Sequence, residues 1–361
     1  MVSATADNRG ATIVLSTMAR ILQGRGLDCE IWCISKPNPN MRVPPGIPFR
    51  SLGLRSSGWW HSTTRGLARA LAEARPDVVH LHSYTASIHG LRVARQQGLR
   101  RVLVSFHDFR LGPRRARVCQ RMAPWVDRVV VLNETMRESF GTECGYPPEK
   151  LVVLPNAVDT AYLTPQPRDQ ELAQQWGLRS EDYVIGTLGG MTRIKGQRYL
   201  LEALALVVPE LPAARLVLVG DGRERKNLEQ LARQLGVQDR VIFTGNQSDV
   251  RSWLSLMDLY VQPSLIEAHG LAVNEAMAMQ LPIIGTDRGG LPEVLGGGEA
   301  GLLVPPERPQ AMAEAILALA RDPARAQALA QAARRRVVDC YNLVDYEEQL
   351  WELYQGLLGE S

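Results

Sequence analysis

The sequence predicts an α/β protein made of two doubly wound domains, each with a parallel sheet. Three observations lead there. Short, uniformly apolar runs of strand length alternate with stretches whose apolar residues recur at helical spacing, and strands apolar on both faces belong to parallel sheets covered by helices. That alternation runs through the chain twice, once in each half, which gives two sheets rather than one. The length, 361 residues, is that of about two domains at ~150 residues each.

The elements follow in order. Met1–Asn8 is short and polar where a doubly wound domain should open on a buried strand; either the first strand is only Val2–Thr5 or the chain begins late. Asp7-Asn8-Arg9-Gly10 then reads as the loop after that strand. The next strands are Asp28–Ile34, Asp77–Leu81, Arg101–His107, Arg128–Leu132 and Leu151–Leu154, with helices such as Thr63–Ala74 and Ala86–Gln97 between them. Thr164-Pro165-Gln166-Pro167 marks the join, so the first domain is expected over 1–165 and the second over 166–340. In the second, strands at Tyr183–Gly189, Arg215–Gly220, Arg240–Gly245, Asp258–Gln262, Pro282–Thr286 and Gly301–Val304 are separated by helices near 196–208, 223–235, 269–280 and 309–320. The closing segment, 341–361, repeats Leu350, Leu353, Tyr354, Leu357 and Leu358 at helical spacing and needs a surface to pack on.

Composition excludes several classes. With 45% hydrophobic and 22% charged residues the chain is neither disordered nor fibrous. No apolar run approaches the ~20 residues of a membrane-spanning helix, and no basic segment followed by an apolar core opens the chain. The 5 cysteines include no C-x-x-C pair, which fits a reducing compartment and offers neither a disulfide framework nor a zinc site. The expectation is a cytoplasmic protein. Charge is divided unevenly: residues 1–150 carry 22 basic and 11 acidic side chains, the remainder 19 and 27. A basic first half suits an anionic partner, whether a phosphorylated acceptor, an acidic lipid surface or nucleic acid; it also suits a plain arginine-rich surface. The run Arg110, Arg114, Arg115, Arg117 and Arg121, with Trp125 nearby, suggests peripheral contact with an anionic membrane at its inner face.

The densest chemical signal is Pro263-Ser264-Leu265-Ile266-Glu267-Ala268-His269-Gly270-Leu271-Ala272-Val273-Asn274-Glu275. A strand ends at Pro263 and a helix is expected near His269. Its first N–H groups and positive dipole end make a ready phosphate site, and Gly270 lets a ligand approach the backbone. Glu267 precedes the helix and Glu275 lies two turns into it. Six residues from 269 to 275 rise ~9 Å, too far for a paired acid and base on one bond, but suited to hydroxyls at opposite ends of an extended ligand. Two glutamates at this spacing, taken alone, are more often part of an ordinary surface helix. The second signal is Gly186-Thr187-Leu188-Gly189-Gly190-Met191-Thr192-Arg193-Ile194-Lys195-Gly196, a strand ending in glycines before a basic loop. Lys195 there is a point charge suited to a diphosphate. The third is His107 at the carboxyl end of a first-half strand, where open α/β sheets bind ligands; His80 and His82 lie on the strand beside it. Gly296–Gly301 matches G-x-G-x-x-G but precedes a strand, so it supports no dinucleotide site. There is no D-x-D triplet, no phosphate-binding P-loop and no G-x-S-x-G elbow.

The order of these motifs resembles the retaining family 4 glycosyltransferases of the GT-B fold. The resemblance rests on Glu267 and Glu275 as an E-x7-E pair and on Gly186–Gly196 as a G-R-L-x-x-x-K-G element. It also rests on Leu154–Asp159, Val219–Gly222, Thr286–Glu293 and Gly301–Pro306. It implies two Rossmann-like domains facing across a cleft, with the C-terminal helix crossing back to the first. It implies transfer of a sugar from a nucleotide sugar to a glycan or lipid-linked acceptor, with retained anomeric configuration, no cofactor and no required metal, and no nucleic-acid partner. By the resemblance Glu275 holds the ribose hydroxyls and Glu267 the transferred sugar. Lys195 and the backbone N–H groups of His269, Gly270 and Leu271 meet the leaving diphosphate, His107 lies beside the transferred sugar, and Gly10 lies against the diphosphate. Two departures stand out. Gly190 replaces the arginine of G-R-L, with Arg193 near enough in sequence to substitute, and Arg9-Gly10 replaces the usual Gly-Gly. A non-catalytic nucleotide-sugar-binding or partner subunit is the alternative these departures motivate. Another GT-B enzyme, an epimerase or a phosphorylase, is a third possibility.

Overall fold

The computed structural model describes residues 1–4, 10–36, 46–54, 60–109 and 111–359. The expected first loop Asp7-Asn8-Arg9 and Arg110 of the basic run lie outside the described residues. Contacts divide the chain into two compact units, Met1–Asn156 together with Val344–Ser361, and Ala157–Leu343.

The first unit runs β1 (Val2–Ser3), α1 (Gly10–Gly24), β2 (Ile31–Cys33), β3 (Phe49–Ser51), α2 (Trp60–Ala74), β4 (Val79–His82), α3 (Tyr84–Gln97) and β5 (Val102–Ser105). It continues through α4 (Pro113–Met122), β6 (Arg128–Val131), α5 (Glu134–Cys144) and β7 (Leu151–Val153). The strands form one sheet in the order β3-β2-β1-β4-β5-β6-β7, every neighbouring pair parallel. Val102, Leu103 and Val104 are wholly buried, as continuous apolar strands under helices on both faces should be. β1 has two residues yet sits inside the sheet, Val2 opposite Trp32 on one side and Leu81 on the other. β3 escapes the sequence reading because Phe49-Arg50-Ser51 is an edge strand without an apolar run.

The second unit holds α6 (Gln170–Gln175), β8 (Tyr183–Leu188), α7 (Gln197–Val207), β9 (Ala214–Val219), α8 (Arg225–Gln234), β10 (Val241–Gly245), α9 (Val250–Ser255) and β11 (Leu259–Gln262). Then come α10 (Leu271–Ala278), β12 (Ile283–Thr286), α11 (Leu291–Val294), β13 (Leu302–Val304), α12 (Pro309–Arg321) and α13 (Pro323–Cys340). Its sheet, β10-β9-β8-β11-β12-β13, is also parallel throughout. The pleat sends alternate residues to two cores: Val217 and Val219 pack under one helical layer, Leu216 and Leu218 under the other. The strand order reverses between β8 and β11, and ligands of open α/β sheets bind outside the carboxyl ends at such a point. α13 was not anticipated; it is alanine-rich, buries only Ala330, Ala333 and Val337, and is started by Asp322 accepting from the Arg325 N–H at 3.0 Å.

The last helix, α14 (Leu343–Gly359), fills most of the expected closing segment 341–361 and belongs almost wholly to the first unit. It buries Tyr346, Leu350, Tyr354 and Leu357, while Tyr354 Oη meets His80 Nδ1 at 2.8 Å. Arg25, just past α1, pairs with Glu348 on the exposed side of α14.

Candidate functional site

The reversal between β8 and β11 brings the two motif loops of the second unit side by side. Leu265 N–H donates to Ile194 O at 2.8 Å, tying one loop to the other. Gly196, at φ +66°, allows this approach: a Cβ there would stand 1.9 Å from Pro263 O. The loop after β12 closes beneath, with Gly290 N–H donating to Glu267 O at 2.8 Å and Thr286 Oγ1 to Ser264 O at 2.6 Å. Gly289, φ +68°, is equally constrained, since a Cβ would lie 2.1 Å from Glu267 O.

Lys195 and Glu267, 72 positions apart, meet here: Nζ donates to Oε2 at 2.6 Å. Both heads are mostly covered, 29% and 13% exposed, so this is no ordinary surface pair. Glu267 Oε2 also accepts from Ser264 Oγ at 3.1 Å and Gln262 Nε2 at 3.4 Å. Lys195 stands in a short 3-10 turn, Arg193–Lys195, rather than in the first turn of α7. Arg193 is exposed and makes no ion pair among the described residues. At position 190 a Cβ would meet nothing nearer than Asp221 O at 3.7 Å, so the glycine there is not demanded by packing.

α10 starts at Leu271, two residues later than expected, because Gly270 in the left-handed region caps it. The N–H groups of its first turn lack intrahelical acceptors by construction, and its dipole is positive at that end. The His269 side chain is turned inward, Nε2 2.9 Å from Asn274 Nδ2 and its ring edge-on to Tyr341, so only its backbone faces the loop side. Glu275 is half-buried, and burial pushes its carboxyl up to about 7. Desolvation raises Tyr260 within β11, and the nearby charges of Glu275 and Glu267 raise it further.

The first unit places its own candidates at carboxyl ends of strands. His107, two residues past β5, lies 3.3 Å by Nε2 from Nδ1 of buried His82, their rings stacked at 5.6 Å. His82 in turn lies against His80, which bonds Tyr354 Oη and, at 2.7 Å, Ser105 Oγ. Burial lowers all three, His107 to about 4, so none is a cation near neutrality. Gly10 opens α1, the helix that follows β1, and β1 lies beside β4 in the sheet. No group of three His, Cys, Asp or Glu side chains among the described residues is arranged to hold a metal.

Tyr260 and Gln262 escape the sequence reading, and Ser264 is quoted in the motif without a role. The available signal is a glutamine and a tyrosine at alternate positions of a strand that is otherwise apolar and wholly covered. Such polar groups have to be hydrogen-bonded somewhere.

Residues 8–162 match the model of Glycosyltransferase Family 4, and residues 168–336 that of Glycosyl transferases group 1. Among curated proteins, the chain is 29% identical to Alpha-D-kanosaminyltransferase of Streptomyces kanamyceticus over 67% of its own length and 65% of the relative's. It is 31% identical to GDP-mannose-dependent alpha-(1-6)-phosphatidylinositol monomannoside mannosyltransferase of Mycobacterium tuberculosis, over 68% and 66%. It is 30% identical to N-acetyl-alpha-D-glucosaminyl L-malate synthase of Bacillus anthracis, over 53% and 50%. The chain thus spans between half and two thirds of the length of these relatives. Of solved structures, sucrose-phosphate synthase from Thermosynechococcus elongatus superposes with a TM-score of 0.86 at 22% identity, covering 100% of this chain and 99% of that one. HepE of Anabaena, solved with UDP-glucose, gives 0.84 at 22% identity, covering 99% and 100%. At that identity the likeness establishes the architecture. Two parallel Rossmann-like sheets, the motif loops meeting where one strand order reverses, and family models matching nearly end to end make this chain a member of glycosyltransferase family 4, the group 1 glycosyl transferases of GT-B fold.

Proposed function

We propose that the chain transfers a sugar from a nucleotide-sugar donor to a glycan or lipid-linked acceptor, with retention of anomeric configuration and without a metal ion. The observation that carries the reading is the meeting of Lys195 with Glu267 at 2.6 Å, where the loop of Glu267 leads on into the N-terminal end of α10. In this reading Glu275 takes the ribose hydroxyls and Glu267 the hydroxyls of the transferred sugar. Lys195, Arg193 and the backbone N–H groups of His269, Gly270 and Leu271 take the diphosphate. The charge that grows on the leaving diphosphate then meets a fixed cation and a helix dipole, where electrostatic help lowers the barrier most. In the same reading the first unit takes the acceptor, His107 lies beside the transferred sugar and Gly10 against the diphosphate. Relatives whose names specify GDP-mannose and phosphatidylinositol monomannoside support the donor and acceptor classes.

The basic face of α4 supports a peripheral contact with anionic lipid: Arg114, Arg117 and Arg121 are exposed along one side of a helix whose other side buries Ala116, Cys119 and Met122. No helix of the described residues is long and apolar enough to cross a membrane.

A thermal-shift panel of UDP, GDP and ADP with their sugar conjugates tests the donor site. One nucleotide at about 100 times its dissociation constant should add ~2.7 kcal/mol, and Glu275→Ala and Lys195→Ala should abolish the shift. No shift with any of them would overturn the reading. Gly190 favours a second reading, a nucleotide-sugar-binding subunit without turnover. A chain that shifts with donor yet releases no diphosphate with any glycan or lipid-linked acceptor would establish it.

A further inference from the structure

Behind Glu267 runs a chain of hydrogen bonds with a single direction. Leu188 N–H donates to Tyr260 Oη at 3.4 Å, and the Tyr260 hydroxyl donates to Gln262 Oε1 at 2.7 Å. That fixes the amide, because Nε2 must then face Ser264 Oγ at 2.8 Å and Glu267 Oε2 at 3.4 Å. Ser264, having accepted from the amide, gives its own proton to Glu267 Oε2 at 3.1 Å. Tyr260 and Ser264 are wholly buried and Gln262 is 2% exposed. An apolar strand end would pack here without any polar group to satisfy. Three such side chains in a relay that ends on one carboxylate oxygen, which Gln262 and Ser264 both reach, are therefore better explained by what they hold than by stability.

We propose that Tyr260, Gln262 and Ser264 are positioning residues for Glu267: with Lys195 they occupy Oε2 and leave Oε1 as the oxygen that receives the hydroxyls of the transferred sugar. The proposal rests on the reading above that Glu267 holds that sugar. Oε2 takes donors from Lys195, Ser264 and Gln262, which fills its capacity, whereas no described group donates to Oε1, which is not sealed from solvent. A carboxylate rotates easily about its last bond. Donors anchored on β11 and its loop stop that rotation before the sugar arrives, so the ordering is complete in the unliganded site.

The test compares affinity for UDP-glucose with that for UDP, and for GDP-mannose with that for GDP, alongside kcat and KM. Gln262→Leu and Ser264→Ala should each weaken the nucleotide sugar tenfold or more relative to its bare diphosphate and lower kcat. Ser264→Thr, which keeps the hydroxyl, should restore both. Should Gln262→Leu fail to fold, the Ser264 pair decides. Variants that keep the ratio and kcat, or that weaken sugar and diphosphate equally, overturn the proposal. Glu267→Ala separates the two levels. If it too keeps the ratio, the reading of Glu267 falls; if it loses the ratio while Gln262→Leu and Ser264→Ala keep it, only the positioning role falls.

Discussion

Ser83 holds a backbone conformation that belongs to glycine, φ 80° and ψ 161°, directly after His82. Its N–H donates to Ser105 O at 2.9 Å and its carbonyl accepts from Ser87 Oγ at 2.7 Å, so the ends of β4 and β5, which carry His82 and His107, are clamped together at the expense of strain. Such a residue is destabilising by ~1–3 kcal/mol and tends to occur where function requires the geometry. Ser83→Gly should raise stability by ~1 kcal/mol, read as a shifted urea midpoint with unchanged slope. A loss of stability would mean that the side chain matters more than the backbone. Glu275 shows the opposite trade. Its carboxyl ionises near 7 in the folded protein against 4.5 in the unfolded chain, so the folded state binds more protons between those values. Stability therefore falls as pH rises through that window, and the penalty is complete above about 7. Glu275→Gln should be more stable than the parent by ~1–2 kcal/mol at pH 8 and no more stable at pH 4.5, while binding nucleotide less well. Equal stabilities at pH 8 would show that water reaches the carboxyl freely.

At the scale of elements, sequence patterns and structure agree best where burial is uniform. β5, β6, β9 and β12 lie within a residue or two of their expected runs, because an apolar stretch covered on both faces has one stable use. β3 and α13 were missed for the complementary reason: one is a half-exposed edge, the other an alanine-rich helix whose pattern is faint. The shift of α10 from His269 to Leu271 was decided by a single glycine cap. α4 carries a prediction of its own. With ~1 kcal/mol for each basic group at an anionic surface, replacing Arg114, Arg117 and Arg121 by Glu should abolish sedimentation with phosphatidylglycerol vesicles and leave behaviour with neutral vesicles unchanged. A parent chain that ignores both vesicle types would remove the lipid contact.

At the scale of the whole molecule, the last segment of the chain completes the first unit. Leu350 is wholly buried and Tyr354 nearly so, the latter closing on His80. Leu350→Ala should therefore destabilise by ~2–5 kcal/mol, and hydrogen exchange should report the loss in β4 and β5 while β8 and β11 keep their protection. Uniform loss across both units would show that they unfold as one.

The sequence by itself determined the fold class and the family, and nominated Glu267, Glu275, Lys195 and His107 as candidate groups, because short-range pattern and motif order are written along the chain. Tertiary structure alone decided which of them meet. Lys195 touches Glu267 because the strand order reverses between β8 and β11, His269 turns into the core, and Gln262 and Ser264 hold a carboxylate no spacing assigns to them. Contact between groups 72 positions apart depends on strand order and on glycines that let loops close to van der Waals distance, and neither is a property of local sequence.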